Sequence, residues 1–372
     1  MSKTTKSANA CPIRKTSIGG QALMEGIMMR GPAKTAMAVR NTKGEIVVEE
    51  CQFSTKKRPA FFRLPFIRGV FGFIDSMTLG YKCLMRSAEI SGLEELEAEM
   101  EKEKAEKKAA KKAAKEAKKA GKSAGATAPV ETPVVSVENA DDGQAVTDSA
   151  PQKEEKKGTS AMTTIMMIVS VLFAVVIMVG LFIIIPAFLY NFLADHNVPL
   201  FDRDNRYFRS VFEGIMKVVL LVGYMALMCL MKDIRRTFQY HGAEHKTIFC
   251  YEQGLELTVE NVRKQKRFHP RCGTSFLILM MLVSILVGFF IPPTLDTWLR
   301  VGIKLLLVPV IMGLGFELIK ICGRFDNWLT RIISFPGVAL QHITVFEPDD
   351  SMIECAIAAM KEVIPDDGSD AW

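Results

Sequence analysis

Between Ile165 and Tyr190 the chain carries no charged residue. A helix needs about 20 mostly apolar residues to cross a bilayer. Soluble helices keep a polar face, so a run this apolar constrains the fold more than anything else in the sequence. A second block runs from Val211 to Met231, with Glu213 and Lys217 spaced to pair at i,i+4 near one end. A third runs from Phe276 to Pro293. A fourth runs from Trp298 to Cys322, with Pro309 as a kink and Trp298 as an interfacial anchor. Only Thr294 to Thr297 separate the last two, which predicts a tight antiparallel hairpin; the alternative for this pair is a buried hairpin in a soluble protein. The mean hydropathy of +0.17 is concentrated in these blocks. The expected architecture is therefore an α-helical polytopic membrane protein of about four transmembrane helices, with a small mixed α/β cytoplasmic portion.

Charge sets the expected orientation. The segment 232–273 carries Lys232, Arg235, Arg236, Lys246, Arg263, Lys264, Lys266, Arg267 and Arg271. The segment 191–210 carries Arg203, Arg206 and Arg209, offset by Asp195, Asp202 and Asp204. Lys/Arg-rich loops stay in the cytoplasm, and an even number of spans brings both termini to the same side. Residues 1–20 are polar and basic, with no apolar core of a secretory signal. The eight cysteines form no CxxC pair, which fits a reducing compartment.

Four regions follow: an N-terminal cytoplasmic segment 1–92, a linker 93–160, a membrane domain 161–323, and a cytoplasmic tail 324–372. Ala36–Arg40 and Ile46–Glu49, joined by Asn41-Thr-Lys-Gly44, predict a β-hairpin. The preceding stretch, Gly19 to Pro32, holds four glycines and reads as a turn-rich structural piece, with Glu25 and Arg30 as its notable polar residues. It lacks the GK[ST] of a phosphate loop, which argues against nucleotide binding. Phe61 to Ser87 alternates apolar and charged residues. It fits an amphipathic helix on the membrane face or one packed in the cytoplasmic core. Residues 94–122 are nearly all Glu, Lys and Ala, and 123–160 have no period; they predict a solvated helix and a flexible spacer. No aromatic residues interleave the basic run, so no specific nucleic-acid binding is expected.

The chemistry concentrates in the basic loop. His241-Gly-Ala-Glu244-His245 places two of five histidines at i,i+4, on one face of a helix, with a carboxylate beside them. H-x-x-E-H is the reversed spelling of the zinc-hydrolase motif, in which both histidines bind the metal and the glutamate is the general base. Gly242 weakens the helix that this geometry needs. His269 and Cys272, at i,i+3 ahead of the third block, are acceptable zinc ligands. Four protein ligands would make a closed structural site, and three would leave a position for catalysis. Cys272 read alone, at a helix start beside His269 and arginines, is a candidate Cys–His nucleophile. Glu317 lies inside the fourth block, where a carboxylate is costly without a partner. It is a candidate third metal ligand, or a partner of Arg235, Arg236 or Lys320. Lys304 is expected to snorkel outward. Asp349 is expected to cap a helix starting near Ser351, and His342 to be a satisfied core histidine.

Five blocks occur in order: Gly19–Pro32, His241–Ile248, His269–Phe276, the Glu317 segment Phe316–Lys320, and Pro336–Thr344 followed by Glu347-Pro-Asp-Asp350. Together they resemble the YqhQ-like family of bacterial multi-pass membrane proteins over roughly residues 16–92 and 163–362. The resemblance implies metal-dependent enzymes and marks His241, Glu244, His245, His269, Cys272 and Glu317 as motif positions. The linker 93–160 is longer and more charged than the family leads one to expect. Val345-Phe346 stand where a basic residue is expected before the Glu-Pro.

The leading expectation is a zinc-dependent hydrolase of the inner membrane. His241 and His245 bind zinc; His269, Cys272 or Glu317 complete the shell; and Glu244 is the base. The expected substrate is a peptide or a lipid-linked molecule, and the expected partners are membrane lipid and membrane or peripheral proteins. The alternatives are a scaffold with a structural zinc and an ion-coupled transporter working through Glu317.

Overall fold

The computed structural model describes residues 15–51, 64, 67–92, 161–325 and 327–371. The linker 93–160, with its expected helix and spacer, lies outside the described residues. The chain divides into two units, residues 95–175 and the remainder. Of the first, residues 161–175 are described, as part of an apolar helix.

The larger unit opens with four antiparallel strands in sequential order: β1 (Gly19–Leu23), β2 (Gly26–Arg30), β3 (Thr35–Arg40) and β4 (Ile46–Glu50). The expected β3–β4 hairpin is present, with Arg40 opposite Ile46. Asn41 Oδ1 accepts from the amides of Lys43 and Glu45, and Gly44 takes φ +84°. The glycine-rich stretch expected to be turn-rich is instead the β1–β2 hairpin. Its two-residue turn, Met24-Glu25, holds Glu25 at φ +51° and lacks the Asn-Gly or Asp-Gly that flags such turns.

Both faces of the sheet are covered. Ile27, Met29, Ala36 and Ala38 pack under α11 (Asp350–Val363) and α5 (Lys232–Glu252), with Met352, Ile353, Met360 and Tyr240. Leu23, Met28, Met37 and Val39 face Leu79 and Cys83 of α1 (Ile67–Ile90). Burial on both faces explains why β2 and β3 read as apolar runs rather than alternating ones. One face of α1 thus packs in the core, while Ile74, Met77, Tyr81 and Met85 leave an apolar face exposed. Its N-terminal half also meets α9 (Val308–Arg324): a Cβ on Gly69 would touch Phe316, and the rings of Phe73 and Phe276 lie 5.9 Å apart.

The apolar blocks form helices. α2 (Ala161–Val179) continues through a π-turn, Gly180–Ile184, into α3 (Ile185–Asp195), and α4 is Arg206–Met228. Residues Val169–Asp195 and Arg206–Met228 are long and apolar enough to cross a membrane. The third expected span is only α7 (Gly273–Gly288), 16 residues, or about 24 Å of helix. The fourth is broken rather than merely kinked: α8 (Thr297–Leu306) and α9 meet at 45°. Pro309, in the first turn of α9, cannot supply an amide to α8. Among the described residues, length and composition therefore give two spans, or three if the bent pair is one.

Polar residues in these helices pair differently from the expectation. Glu213 accepts from Arg209 and pairs with Lys304, not Lys217, so Lys304 turns inward rather than snorkelling. Between α5 and α7 lies the one-turn α6 (Val259–Arg263). The tail contributes α10 (Trp328–Thr344), opened by a reciprocal Asn327–Thr330 cap and packed along α7 through Leu340 and Ile278.

Candidate metal centre

Helix α5 is polar in composition, yet the stretch from Gly242 to Ile248 is buried. Gly242 makes this possible rather than weakening it: a Cβ there would collide with the carbonyl of Phe346. The helix passes directly under the segment that joins α10 to α11, and Phe346 donates its amide to Phe238 O at 3.0 Å. A buried helix carrying Glu244, His245 and Lys246 has its polar groups held for a reason other than solubility.

His241 and His245 lie one turn apart on α5, their rings edge to face with centroids 4.4 Å apart. Cys272 comes from the N-cap position of α7. One ligand atom from each of the three lies within 4.8 Å of the others. His241 Nε2 is 3.0 Å from Cys272 Sγ. His241 Nδ1 donates to Thr344 O at 3.0 Å, and His245 Nδ1 donates to Arg267 O at 2.6 Å. With Nδ1 of each ring engaged by a backbone carbonyl, Nε2 is the nitrogen left to face a metal, the arrangement that metal-binding histidines use. His245 Nε2 is buried with no hydrogen-bond partner. An unsatisfied buried nitrogen beside a thiol and a second imidazole fits a transition metal that takes N and S ligands.

The electrostatics agree with that donor set. Burial alone would raise the Cys272 pKa, but the two imidazoles outweigh it and hold the thiol well below its usual range. Burial disfavours charge on His241, yet the Cys272 charge dominates and lifts its pKa to about 9. Glu244 is 6% exposed. Burial raises its pKa, partly opposed by both imidazoles and by a hydrogen bond from the Gly20 amide. Its Oε2 is buried without a partner. Gly20 is required at that contact: a Cβ would lie 2.9 Å from the Glu244 Cδ and 2.7 Å from Met28 O.

Two expected ligands lie apart from this group. His269 sits nearby, its ring centroid 5.6 Å from that of His245. Its nitrogens are engaged elsewhere: Nε2 is 3.8 Å from Glu252 Oε2, and Nδ1 accepts from the Arg271 amide at 3.3 Å. Glu317 is on α9, where Arg68 grips it with two hydrogen bonds of 2.8 and 2.6 Å. Arg235 stacks on Phe346, Arg236 pairs with Glu25, and Lys320 lies over the Phe316 ring. His342 is exposed rather than in the core, packed on Phe268 at 4.4 Å. Asp349 caps α11 by accepting from the Met352 amide, as expected.

Two residues that build the site were not singled out from the sequence. Gln341 is fully buried; it accepts from His269 N at 2.8 Å and donates to His269 O at 2.7 Å. It thereby fixes the loop that delivers Cys272. Glu252 takes Arg271 and the Thr16 amide (2.9 Å). Both were within reach: Gln341 lies in one of the five motif blocks, and Glu252 is seven residues beyond His245, on the same face of α5.

The molecule is thus a mostly helical protein with two or three helices able to cross a membrane, a small antiparallel sheet, and a His-His-Cys cluster on a buried polar helix. The chain belongs to the family described as Protein of unknown function (DUF1385), which matches residues 64–366. It is 30% identical over 350 residues to Uncharacterized protein YqhQ of Bacillus subtilis (strain 168), covering 93% of this chain and 92% of that protein. No solved structure matches it.

Proposed function

We propose that this chain is a zinc-dependent hydrolase working at the cytoplasmic surface of the inner membrane, on a peptide or a lipid-linked substrate. The observation that carries the reading is the pair of imidazoles anchored through Nδ1 near one thiol, with a buried carboxylate beside them whose Oε2 has no partner. His241, His245 and Cys272 would hold the ion. Bound there, it would supply Lewis acidity, polarising the scissile carbonyl or phosphoryl group and acidifying water. Glu244, buried and with a raised pKa, takes the proton from the attacking water and passes it to the leaving group. The Gly20 amide holds that carboxylate in place. Three protein ligands leave a position for substrate, as catalytic zinc sites do. The apolar helices are read as spans, four if α7 and the α8–α9 pair are counted, with the basic segment 232–273 on the cytoplasmic side.

A second reading, a scaffold with a closed structural zinc, is favoured by the nearness of His269. The ion-coupled transporter gains no support from the placement of Glu317, which is paired with Arg68. The test is a mass-spectrometric peptide-library digest with the reconstituted full chain, wild type against Glu244→Gln. Hydrolysis is expected from wild type and none from the variant, with zinc retained in both. Cleavage that persists in Glu244→Gln, or a variant that loses its zinc, would contradict the assignment of Glu244 as base.

A further inference from the structure

The end of α4 remote from α5 carries a charge cluster that the metal centre does not use. Arg209, Glu213 and Lys217 lie along α4, and Arg300 and Lys304 along α8. Arg209 Nε donates to Glu213 at 3.1 Å, and Lys304 pairs with the other carboxylate oxygen. Arg300 lies within electrostatic reach of both Arg209 and Glu213, and Lys217 of Glu213. Four cations therefore converge on one carboxylate. Arg209, Glu213 and Arg300 are 3%, 3% and 1% exposed. Arg300 spends one nitrogen on Pro292 O at 2.6 Å. Its Nε and Nη2, and Nη2 of Arg209, are buried with no partner.

Buried guanidinium groups without acceptors are costly, and an excess of buried positive charge more so. Among the described residues, Glu213 is the acidic side chain paired within this group, and no second one is paired there. The structure does supply a cavity of about 410 Å³ beside the group. Glu213, Lys217 and Lys304 line one part, and Phe182, Leu277, Met281 and Ile311 are among the apolar residues that line the rest. That size lies in the ordinary range for a small-molecule site. A mostly apolar chamber with cations at one end matches one chemistry, an amphiphile with an anionic head.

We propose that this cavity binds an anionic glycerophospholipid, its phosphate on Lys217 and Lys304, the two cations that line it, with the buried Arg209 and Arg300 adding positive charge behind them, and part of an acyl chain in the apolar chamber. The site is separate from the metal centre and does not depend on what that centre does.

Native mass spectrometry of the delipidated full chain in detergent, titrated with phosphatidylglycerol and with phosphatidylcholine of the same acyl chains, tests it. The variants are Lys217→Gln, which neutralises a cation that forms no direct ion pair, and Ser284→Trp, which fills the chamber from its wall. Each is compared with wild type for elution and melting midpoint. Wild type should bind phosphatidylglycerol roughly tenfold more tightly than phosphatidylcholine. Lys217→Gln should erase most of that preference, and Ser284→Trp should cut phosphatidylglycerol binding roughly tenfold. Equal binding of the two lipids by wild type would overturn the proposal by making the chamber a non-selective apolar pocket. Unchanged phosphatidylglycerol binding in either folded variant would overturn it by placing the lipid elsewhere.

Discussion

Replacing Gln341 by Leu should loosen the metal centre without touching a candidate ligand. The side chain is fully buried and holds the amide and the carbonyl of His269 at 2.8 and 2.7 Å, with Ser275 Oγ at 3.2 Å. Leucine fills a similar volume but leaves both backbone groups stranded, at about 1–3 kcal/mol each. Burying the extra apolar surface returns about 1 kcal/mol. The net loss is about 1–5 kcal/mol, and a body of this size loses about 2–4 °C in melting midpoint per kcal/mol. Thermal unfolding in detergent, followed by intrinsic fluorescence, should show a drop of roughly 2–20 °C. His342→Ala, the exposed neighbour, should stay within about 1 °C of wild type, as surface substitutions do. A Gln341→Leu midpoint within about 2 °C of wild type would refute the claim that this residue fixes the Cys272 loop.

Glu317→Gln should leave metal content unchanged, because the carboxylate is held by Arg68 on another face of the structure; metal analysis checks this, and a loss of metal would return Glu317 to the shell. The same bond, partly exposed at 39% and 21%, should show a coupling of about 1 kcal/mol or less in an Arg68/Glu317 double-mutant cycle. Glu252 gives a pH signature. Burial opposes its charge, but His269, Arg271 and the Thr16 amide prevail and hold its pKa below the usual carboxylate range. A depressed folded pKa gives stability that is full above the unfolded value of about 4.3 and is lost as pH falls through the folded one. The wild-type melting midpoint should therefore fall more steeply than that of Glu252→Gln between about pH 5 and about pH 3; parallel curves would rule this out.

What could be read in the sequence was local. The β3–β4 hairpin carries its own turn chemistry in Asn41 and Gly44, and Asp349 its own capping pattern, so both were legible. The apolar blocks were visible as hydropathy, but the break at Leu307 and the brevity of α7 depend on how the helices end against one another. The β1–β2 hairpin was missed because its turn uses Met24-Glu25, held by tertiary packing rather than by turn propensity. At the site, His241 and His245 announced themselves through i,i+4 spacing on one helix. Cys272 comes in from a segment about thirty residues away and could be named only as a candidate. His269 and Glu317 were equally plausible by residue type. Their partners, Glu252 and Arg68, lie too far along the chain for spacing to reveal.

The central claim, a metal held by His241, His245 and Cys272 with Glu244 beside it rather than bound to it, is tested most directly by metal content. The full chain would be purified in detergent without chelator, as wild type, His245→Ala, Cys272→Ser and Glu244→Gln, and analysed by inductively coupled plasma mass spectrometry. The account predicts close to one zinc per wild-type chain, loss in His245→Ala and Cys272→Ser, and retention in Glu244→Gln. No bound transition metal in folded wild type, or full retention in Cys272→Ser, would contradict it.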